Sequence, residues 1–376
     1  MRLLIFISSL SGGGAERVTV NLANHWALKG WEITIVTLRR QSDDFYALNH
    51  AVRRIALEIH GDSGNVIVGL FQNLRRVLAL HRVLRRIRPD VALGMMDRAN
   101  VILAIASWGL HRIRAIGSER TYPPQHPLGT LWERLRYHSY GHLYAVVAQT
   151  DKGAEWLKSH TKAQRVFAIP NPANWPLIDQ IPFVNVNVIV GNMSGTGRKL
   201  LLAVGRLSCE KQFGLLVGCF QSLAGRHADW DLAILGEGPL RSQLEAQVSE
   251  ASLGNRVFFP GRAGNIREWY ECADLYVMSS RFEGFPNTLV EAMACGLPVV
   301  SFDCDTGPRD IIRHKVDGLL VSPGDAQELT ATLSQLMGDE NLRQELASRA
   351  VDVQMRFATK RIAEQWERLF KEVRVF

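Results

Sequence analysis

Short apolar runs alternate with segments of helical periodicity along almost the whole chain. Leu3 to Ile7 is a continuous apolar run, as expected for a strand that is buried on both faces. A glycine turn follows, and residues 15–29 then carry apolar side chains at the spacing of an amphipathic helix that stops at Gly30. The next apolar run, 31–38, completes a βαβ unit. The pattern predicts a parallel, doubly wound α/β sheet.

The alternation is interrupted after Ile169 and resumes at Leu200. Before the interruption, the sequence predicts helices over 73–87, 101–108, 131–140 and 152–159, with strands at 91–93, 115–116, 144–148 and 165–169. After it, strands are predicted at 200–204, 232–235, 257–259, 275–278, 298–300 and 318–321, with helices at 212–224, 240–250, 266–271, from 287, 328–337, 341–353 and 358–370. The interruption is rich in Pro, Gly and Asn, which is typical of a linker.

Two Rossmann-like domains are therefore predicted. The first spans residues 1–170, the linker 171–197 and the second domain 198–355. The last segment, 356–376, holds an amphipathic helix that is able to cross back to the first domain. Open parallel sheets bind ligands at the carboxyl ends of their strands, so two such domains facing each other would share a ligand cleft.

The composition is that of a globular protein, with 47% hydrophobic and 22% charged residues in a chain of 376. No apolar run approaches the roughly 20 residues of a membrane-spanning helix. The first apolar run is too short for a signal peptide and leads into a glycine turn, so a cytoplasmic location is predicted. The five cysteines are an odd number without a C-x-x-C pair, which argues against a disulfide framework or a structural zinc site.

The net charge of +7 is unevenly distributed. Residues 1–174 hold 23 Lys and Arg against 12 Asp and Glu, a net +11, whereas residues 175–376 hold 21 against 25, a net −4. On the predicted helix 73–87, four arginines fall within an arc of about 120°. They are Arg75, Arg76, Arg82 and Arg86, with Leu74, Val77, Leu78, His81 and Leu84 turned away. This helix fits an anionic membrane surface or a solvated face.

The stretch 281–300 contains two carboxylates that cannot form a close acid/base pair. Glu283 and Glu291 are eight residues apart, and Gly284 and Pro286 delay the start of the following helix until about Asn287. Glu283 is thus expected in a loop and Glu291 inside a helix. A long ligand that lies across the start of this helix could contact both side chains.

Two cations follow the first strand of the second domain. Arg206 and Lys211 suit a diphosphate, since guanidinium and ammonium groups can each bind oxygens of the same group, although a solvated loop is the alternative. The start of the helix after Pro286 adds backbone N–H groups and a positive dipole. The residues expected there are Gly284, Phe285, Pro286, Asn287, Thr288 and Leu289. Together these features predict one phosphate site.

Three further turns are candidates for ligand contact. The turn 11–17 places Gly13 and Gly14 at the start of a helix but departs from G-x-G-x-x-G, because Arg17 stands at the third glycine position. Glu237 lies in a second glycine turn, after a strand. Asp303-Cys304-Asp305 has the form of a metal-binding D-x-D, as does 229–231, but a turn before a helix follows it, and no metal site is predicted.

These motifs together resemble family 4 of the retaining, nucleotide-sugar-dependent glycosyltransferases, which have the GT-B fold. The resemblance rests on SGGGAERV, VGRL with the following Lys, LGEGP, EGFPNTLVEAMACGLPVV and DGLLVSPGD, in that order. GSERTYP (117–123) and CDTGPRDII (304–312) are similar to the bacterial branch that builds exopolysaccharides or lipid-linked oligosaccharides, which includes galactosyl- and N-acetylgalactosaminyltransferases.

The resemblance implies roles for individual residues. Glu291 would bind the ribose hydroxyls, Glu283 would lie by the donor sugar, and Arg206 and Lys211 would hold the diphosphate of a UDP-sugar. Such enzymes retain the anomeric configuration, usually by front-face attack, and require no metal or other cofactor. The first domain would bind the acceptor, a polyprenyl-diphosphate-linked glycan, at the inner face of the cell membrane.

The chain departs from the family pattern in the first domain. Many relatives have a histidine near the donor sugar, often before an Asp, and no such pair is found here. Asp97, Glu119 and Arg120 occupy the expected strand ends, and His126 lies in a Pro-rich loop. They are assigned acceptor-side roles as hypotheses.

Other functions remain open at this point. A sugar-nucleotide epimerase or a transferase with a soluble acceptor would use the same fold. The alternative from another class is a non-catalytic, basic protein that binds nucleic acid or membrane. A sugar-nucleotide site that had lost its activity would not need to keep its Glu and Lys, which argues against this alternative. We expect no nucleic-acid partner.

Overall fold

A computed structural model describes residues 1–59, 61, 66–173, 175–189 and 197–372. The chain divides into two compact units, one formed by Met1–Pro172 together with the final helix from Thr359, the other by Ala173–Ala358. Each unit contains one parallel sheet with hydrophobic clusters on both faces. The predicted class, two doubly wound α/β domains, is confirmed.

The first unit contains a seven-stranded sheet. Its strands are β1 (Arg2–Ile7), β2 (Glu32–Thr37), β3 (Arg53–Ala56), β4 (Val91–Met95), β5 (Arg114–Ser118), β6 (Ala145–Ala148) and β7 (Val166–Ala168). The intervening helices are α1 (Gly14–Leu28), α2 (Val66–Ile87), α3 (Asp97–Ala106), α4 (Thr130–Ser139) and α5 (Asp151–His160). The strand order is β3-β2-β1-β4-β5-β6-β7.

Side-chain alternation along β1 explains why helices cover both faces of this sheet. Leu3 and Ile5 point to the cluster that contains Trp26 of α1. Leu4 and Phe6 belong to the opposite cluster with Leu103 of α3. A continuous apolar run is therefore needed, because each successive side chain is buried on one face or the other.

The second unit contains a six-stranded sheet in a similar arrangement. Its strands are β8 (Lys199–Val204), β9 (Trp230–Leu235), β10 (Val257–Gly261), β11 (Leu275–Met278), β12 (Val299–Phe302) and β13 (Leu319–Val321). Its helices are α6 (Val186–Ile189), α7 (Phe213–Ala224), α8 (Arg241–Glu250), α9 (Ile266–Cys272), α10 (Asn287–Ala294), α11 (Pro308–Ile311), α12 (Ala326–Gly338), α13 (Glu340–Ala350) and α14 (Val353–Arg356). The strand order is β10-β9-β8-β11-β12-β13.

The last helix, α15 (Thr359–Glu372), packs on the first unit. Trp366 and Phe370 are fully buried, and the Phe370 ring lies 5.5 Å from that of Trp26. An ion pair joins Lys29 to Glu367 at 2.6 Å. The final segment of the sequence thus completes the core built by the first residues.

Some elements differ from the sequence prediction. Strand β3 was not predicted, because a short edge strand with two arginines carries little apolar signal. Helix α2 begins at Val66, seven residues before the predicted start. Part of the predicted linker packs in the second unit, where Leu177 and Val186 are buried. No helix in the described part of the chain is both long and apolar enough to cross a membrane.

Candidate active site

Each sheet has one point where the direction of strand addition reverses, and the candidate residues cluster there. In the second unit this point lies between β8 and β11. Gly205 and Arg206 follow β8, and the loop that carries Glu283 follows β11. In open α/β sheets, ligands bind beside the carboxyl ends of the strands at such a reversal. The topology therefore brings together residues that are far apart in sequence.

Glycine is required where two of these loops touch. Gly236 has φ of 138°, and a Cβ on it would lie 1.9 Å from the carbonyl oxygen of Gly205. A Cβ on Gly238 would lie 2.4 Å from the carbonyl oxygen of Leu207. The loops are joined by a hydrogen bond from the Leu207 N–H to the Glu237 carbonyl at 3.0 Å. The glycine turn thus positions the backbone that carries Arg206.

The two cations are in different environments. The Lys211 ammonium donates to the Glu283 carboxylate at 2.5 Å, and both side chains are mostly buried. Arg206 is exposed at the same strand end. The Lys211 carbonyl accepts from Ser279 Oγ at 2.8 Å, which ties the lysine to the loop after β11. Lys211 and Glu283, which were predicted to bind the same ligand, are therefore in direct contact.

Helix α10 begins beside this pair. Its first-turn N–H groups have no acceptor within the helix, as at any helix start. Thr288 accepts from Tyr276 Oη at 2.9 Å. Glu291 is only 2% exposed and lies 3.4 Å from Tyr270 Oη. Phe285 is also buried and contacts the ring of Phe357 at 5.2 Å.

The loop after β12 supports the Glu283 loop. Thr306 Oγ1 donates to the Glu283 carbonyl at 2.5 Å. A Cβ on Gly307 would lie 2.8 Å from Pro286 Cδ, so these loops pack closely. Burial raises the pKa of the Cys304 thiol to about 12, and this thiol donates to a backbone carbonyl. Cys304 is therefore a packing residue.

The D-x-D motifs bind arginines. Asp303 pairs with Arg309 through both carboxylate oxygens at 3.0 Å. Asp231 is buried between Arg198 and Arg256. Over the described ranges, no group of three or more His, Cys, Asp and Glu side chains is arranged to hold a metal ion. Glu237, the other acidic candidate, is half-exposed and paired with Arg241 at 2.7 Å.

In the first unit, the reversal lies between β1 and β4. The glycine turn after β1 contains Gly13, whose N–H donates to the carboxylate of Glu16. The same carboxylate accepts from Ser9 Oγ and from the Ser11 N–H. Glu16, three residues after Gly13, thus caps the start of α1 with its carboxylate. This role of Glu16 was not predicted, because the residue three positions before it is a glycine and not the Ser or Thr of the usual capping signal.

Asp97 is held at the other side of this reversal by a strained backbone. Met96 has φ of 81° and ψ of 158°. Residues other than glycine rarely adopt this backbone region, and those that do are enriched at functional sites. Asp97 follows as the first residue of α3 and is mostly buried. Its carboxylate lies 4.0 Å from His126 Nδ1. Two residues predicted separately are thus brought together.

Glu119 belongs to a buried polar network. Its carboxylate is 1% exposed and accepts from Tyr140 Oη at 2.5 Å. Arg136 Nη1 lies 3.8 Å away. Burial, followed by the charge of Asp97, raises the pKa of Glu119 to about 7. Arg136 of α4 and Tyr140, which follows α4, were not predicted as site residues, since nothing in this stretch of sequence distinguishes inward from outward polar side chains.

Arg120 follows Glu119 in sequence and is also buried. Its side chain is 7% exposed, and Nη1 donates to Ser118 Oγ at 3.3 Å. Burial lowers the pKa of the guanidinium to about 9, so it stays charged at neutral pH. Arginine of this kind is expensive to bury without a counter-charge.

Helix α2 differs from its predicted orientation. Leu74 and Leu78 are 53% and 46% exposed, so the prediction that they turn away from the arginine face is wrong. Arg76 is half-buried and donates to the Gly61 carbonyl at 2.8 Å. Arg75, Arg82 and Arg86 are exposed. The outer face of this helix therefore combines apolar and basic residues.

Comparisons with known proteins are consistent with this arrangement. Residues 12–174 match the family model described as Glycosyltransferase Family 4, and residues 191–352 match that of Glycosyl transferases group 1. The GalNAc-alpha-(1->4)-GalNAc-alpha-(1->3)-diNAcBac-PP-undecaprenol alpha-1,4-N-acetyl-D-galactosaminyltransferase of Campylobacter jejuni is 28% identical and covers 100% of this chain and 99% of its own length.

Two other proteins extend the comparison. The amylovoran biosynthesis glycosyltransferase AmsD of Erwinia amylovora is 26% identical, with 97% of this chain and 98% of AmsD covered. The structure of Anabaena Alr3699/HepE in complex with UDP and glucose has a TM-score of 0.78 at 20% identity, over 99% of this chain and 100% of that one. The chain therefore belongs to the glycosyltransferases, with a family 4 first unit, a group 1 second unit and the GT-B fold.

Proposed function

We propose that this glycosyltransferase transfers a hexose or N-acetylhexosamine from a UDP-sugar to a polyprenyl-diphosphate-linked glycan in the assembly of a bacterial surface polysaccharide. The observation that carries the proposal is the contact of Lys211 with Glu283 at the strand reversal of the second unit. The Campylobacter relative is named for an undecaprenol diphosphate substrate, and the HepE structure contains UDP. Both support this donor and acceptor class.

The geometry of the second unit suggests how the donor binds. Arg206 and Lys211 would hold the diphosphate, with the first N–H groups of α10 as additional donors. The buried carboxylate of Glu291 would accept from the ribose hydroxyls, and Glu283 would contact the sugar. A bound diphosphate would compete with Glu283 for the Lys211 ammonium. The Glu283 carboxylate would then be available to the sugar hydroxyls.

The reaction breaks the bond between the anomeric carbon and the diphosphate and forms a bond from that carbon to an acceptor hydroxyl. The hydroxyl proton passes to the leaving phosphate on the same face, so the anomeric configuration is retained. Negative charge develops on the diphosphate, where Arg206, Lys211 and the helix start stabilise it. We propose that these groups replace a metal ion in that role.

The test is transfer by the purified full chain with a panel of UDP-sugars and lipid-linked acceptors. Arg206→Ala should lower kcat/KM by roughly 10²- to 10³-fold, as removal of a charge-stabilising contact does elsewhere. Glu291→Ala removes the hydrogen bonds to the ribose and should lower kcat/KM by roughly 10- to 100-fold. The exposed Arg226 of the same unit provides the control, and Arg226→Ala should keep wild-type rates. Full activity of both site variants would contradict the donor-site assignment.

The products separate this proposal from its alternatives. We expect a product whose new linkage has the anomeric configuration of the donor, formed equally well in EDTA. A change in the sugar nucleotide without transfer would indicate an epimerase. Transfer to free sugars in preference to lipid-linked glycans would indicate a soluble acceptor.

We also propose that the first unit contacts the membrane through α2. With 100° per residue, five side chains of one helix face fall within an arc of about 100°. They are Phe71, Leu74, Arg75, Leu78 and Arg82. Their side chains are exposed, with Phe71 at 69%. The apolar side chains of this face can enter the lipid interface, and its arginines can bind anionic head groups.

Vesicle sedimentation tests the electrostatic part of this proposal. Replacing Arg75, Arg82 and Arg86 with Gln should weaken binding to anionic vesicles by about 3 kcal/mol, roughly a hundredfold, at about 1 kcal/mol per arginine. Arg76→Gln is the matched control, because this side chain bonds to its own unit. Equal binding of the triple variant and the control, or no preference for anionic vesicles, would contradict this membrane contact.

A further inference from the structure

Arg120 has hydrogen-bonding capacity that its own unit does not use. Within the described ranges, Nη1 has one acceptor, Ser118 Oγ, while Nε and Nη2 are buried without one. The side chain is 93% buried, by its 7% exposure. A guanidinium is a permanent cation with five donors, so this arrangement opposes folding unless something offsets it.

The neighbouring carboxylates do not provide the counter-charge. Glu119 is adjacent in sequence, but its carboxylate is bound to Tyr140 and lies near Arg136. Asp97 contacts His126 and the N–H of Arg98. In the described part of the chain, no carboxylate forms an ion pair with Arg120. The guanidinium is therefore left with a planar fork of donors, which matches a phosphate or carboxylate in shape.

The position of Arg120 indicates what occupies this fork. The residue follows β5, next to the strand reversal at which open α/β sheets bind their ligands. The sequence of the first unit is strongly basic, which favours an anionic ligand. The substrates of the proposed reaction carry diphosphates, and this inference rests on that proposed function for its ligand class.

We propose that Arg120 is the anion anchor of the first unit and binds a diphosphate group of a substrate. The diphosphate belongs to the lipid-linked acceptor or to the nucleotide donor, and the chemistry at the guanidinium is the same. Because so little of the side chain is exposed, its torsions must rotate to present Nε and Nη2 to the anion. The bound anion then supplies a negative charge to the Arg120 guanidinium, which has no carboxylate partner in the described part of its own unit.

Stability without added ligand distinguishes this role from a structural one. Arg120→Met removes a buried, unneutralised charge and keeps most of the side-chain volume, so the melting temperature of the full chain should rise by roughly 2–4 °C. A structural cation would behave in the opposite way, since its loss would lower the melting temperature. Arg112→Met, at an exposed arginine of the same unit, should leave the melting temperature within error.

Ligand binding by calorimetry identifies the source of the anion. Wild type, Arg120→Met, Arg120→Lys and Arg112→Met are titrated with farnesyl diphosphate and with UDP. Arg120→Met should weaken one of these ligands by at least about tenfold, the loss of a charge-assisted hydrogen bond, with partial recovery in Arg120→Lys. Weaker farnesyl diphosphate binding assigns the site to the acceptor, and weaker UDP binding assigns it to the donor.

The proposal is overturned if both ligands bind Arg120→Met as they bind wild type, or if that variant melts at a lower temperature than wild type. Neither readout requires turnover. A chain that binds diphosphates through Arg120 but transfers no sugar would therefore contradict the proposed function and leave this site intact. If the wild-type chain transfers sugar but Arg120→Met binds both ligands as wild type does, the Arg120 site is contradicted and the proposed function stands.

Discussion

At the scale of single residues, the second unit depends on glycines that allow two backbone segments to meet. Gly236 combines a φ of 138° with direct contact to the carbonyl of Gly205. Any side chain at this position would push against backbone atoms, which cannot rotate away as a side chain can. The position of Arg206 follows from this contact, since it is the next residue after Gly205.

Gly236→Ala should destabilise the second unit by roughly 3 kcal/mol or more, because strain at positive φ adds to overlap with a fixed carbonyl. Differential scanning calorimetry of the full chain measures the effect. Gly225→Ala is the control: Gly225 has φ of −73° and ψ of −36°, with open space around a Cβ. This change should be neutral or slightly stabilising. Equal effects at both positions would contradict the packing argument.

Glu119 makes stability depend on pH. Burial raises its folded-state pKa to about 7, above the ordinary value of 4.5. A group of this kind favours the folded state fully below its unfolded pKa, and the advantage is lost as the pH rises through the folded pKa. The relevant window is therefore about pH 4.5 to 7.

Glu119→Gln keeps an oxygen for Tyr140 but cannot ionise. The stability of the variant relative to wild type should increase between pH 5 and pH 7.5, by on the order of 1.4 kcal/mol per unit of pKa shift. Melting temperatures across this range test it. The exposed Glu155→Gln should show a constant difference from wild type. A difference that is flat with pH for Glu119→Gln as well would show that this carboxyl ionises normally.

At the scale of elements, the loops and helix starts that follow the strands bring the functional groups to the sheet edge. Helix α10 starts at Asn287, in the loop region after β11, and carries the buried Glu291 in its second turn. Helix α3 starts at Asp97 immediately after strained Met96. Helix α2 differs from both, because its exposed face is apolar at one end and basic at the other.

The apolar end of α2 gives a prediction that is independent of charge. Phe71→Ser with Leu74→Ser should reduce binding to vesicles by roughly a hundredfold or more, since two large apolar side chains that each contribute about 1.5–3 kcal/mol on burial are removed. Leu28→Ser at the end of α1 is the control, because Leu28 is 78% exposed on another helix. If the α2 variant and the control bind vesicles equally, the apolar side chains are solvent-exposed in the bound state too.

At the scale of the whole molecule, the two units share the chain unequally. The first unit takes the beginning and the end of the sequence, and the second takes the continuous middle. Trp366 of α15 packs in the cluster that contains Trp26, so the last helix contributes to a core whose strands all precede Pro172 in the sequence. Loss of this helix would expose aromatic surface on the first unit.

Trp366→Ala should destabilise the first unit by about 3–5 kcal/mol, as is usual when a fully buried aromatic side chain is deleted. Calorimetry of the full chain reads this as a lower melting temperature. The partly exposed Trp175→Ala should have a much smaller effect. Comparable losses in the two variants would show that α15 contributes little to the stability of the first unit.

Much of the fold could be predicted because buried parallel strands and amphipathic helices leave opposite signals in sequence. Runs such as Leu3–Ile7 identify strands without reference to any partner. The edge strand β3 escaped detection, since its side chains are only half-buried. The orientation of α2 was also predicted wrongly at Leu74 and Leu78, because periodicity alone does not say which stripe meets the core.

The sequence by itself determined the alternation of strands and helices, the excess of positive charge in the first half, and the order of motifs by which the chain resembles a glycosyltransferase. These are local properties, set by residue type and spacing. Only the tertiary structure placed Lys211 against Glu283, gathered Glu119, Tyr140 and Arg136 into one buried network, and left Arg120 with unused donors. Those outcomes depend on which strands become neighbours and on which side chains lose water, and neither is encoded in the spacing of residues along one element.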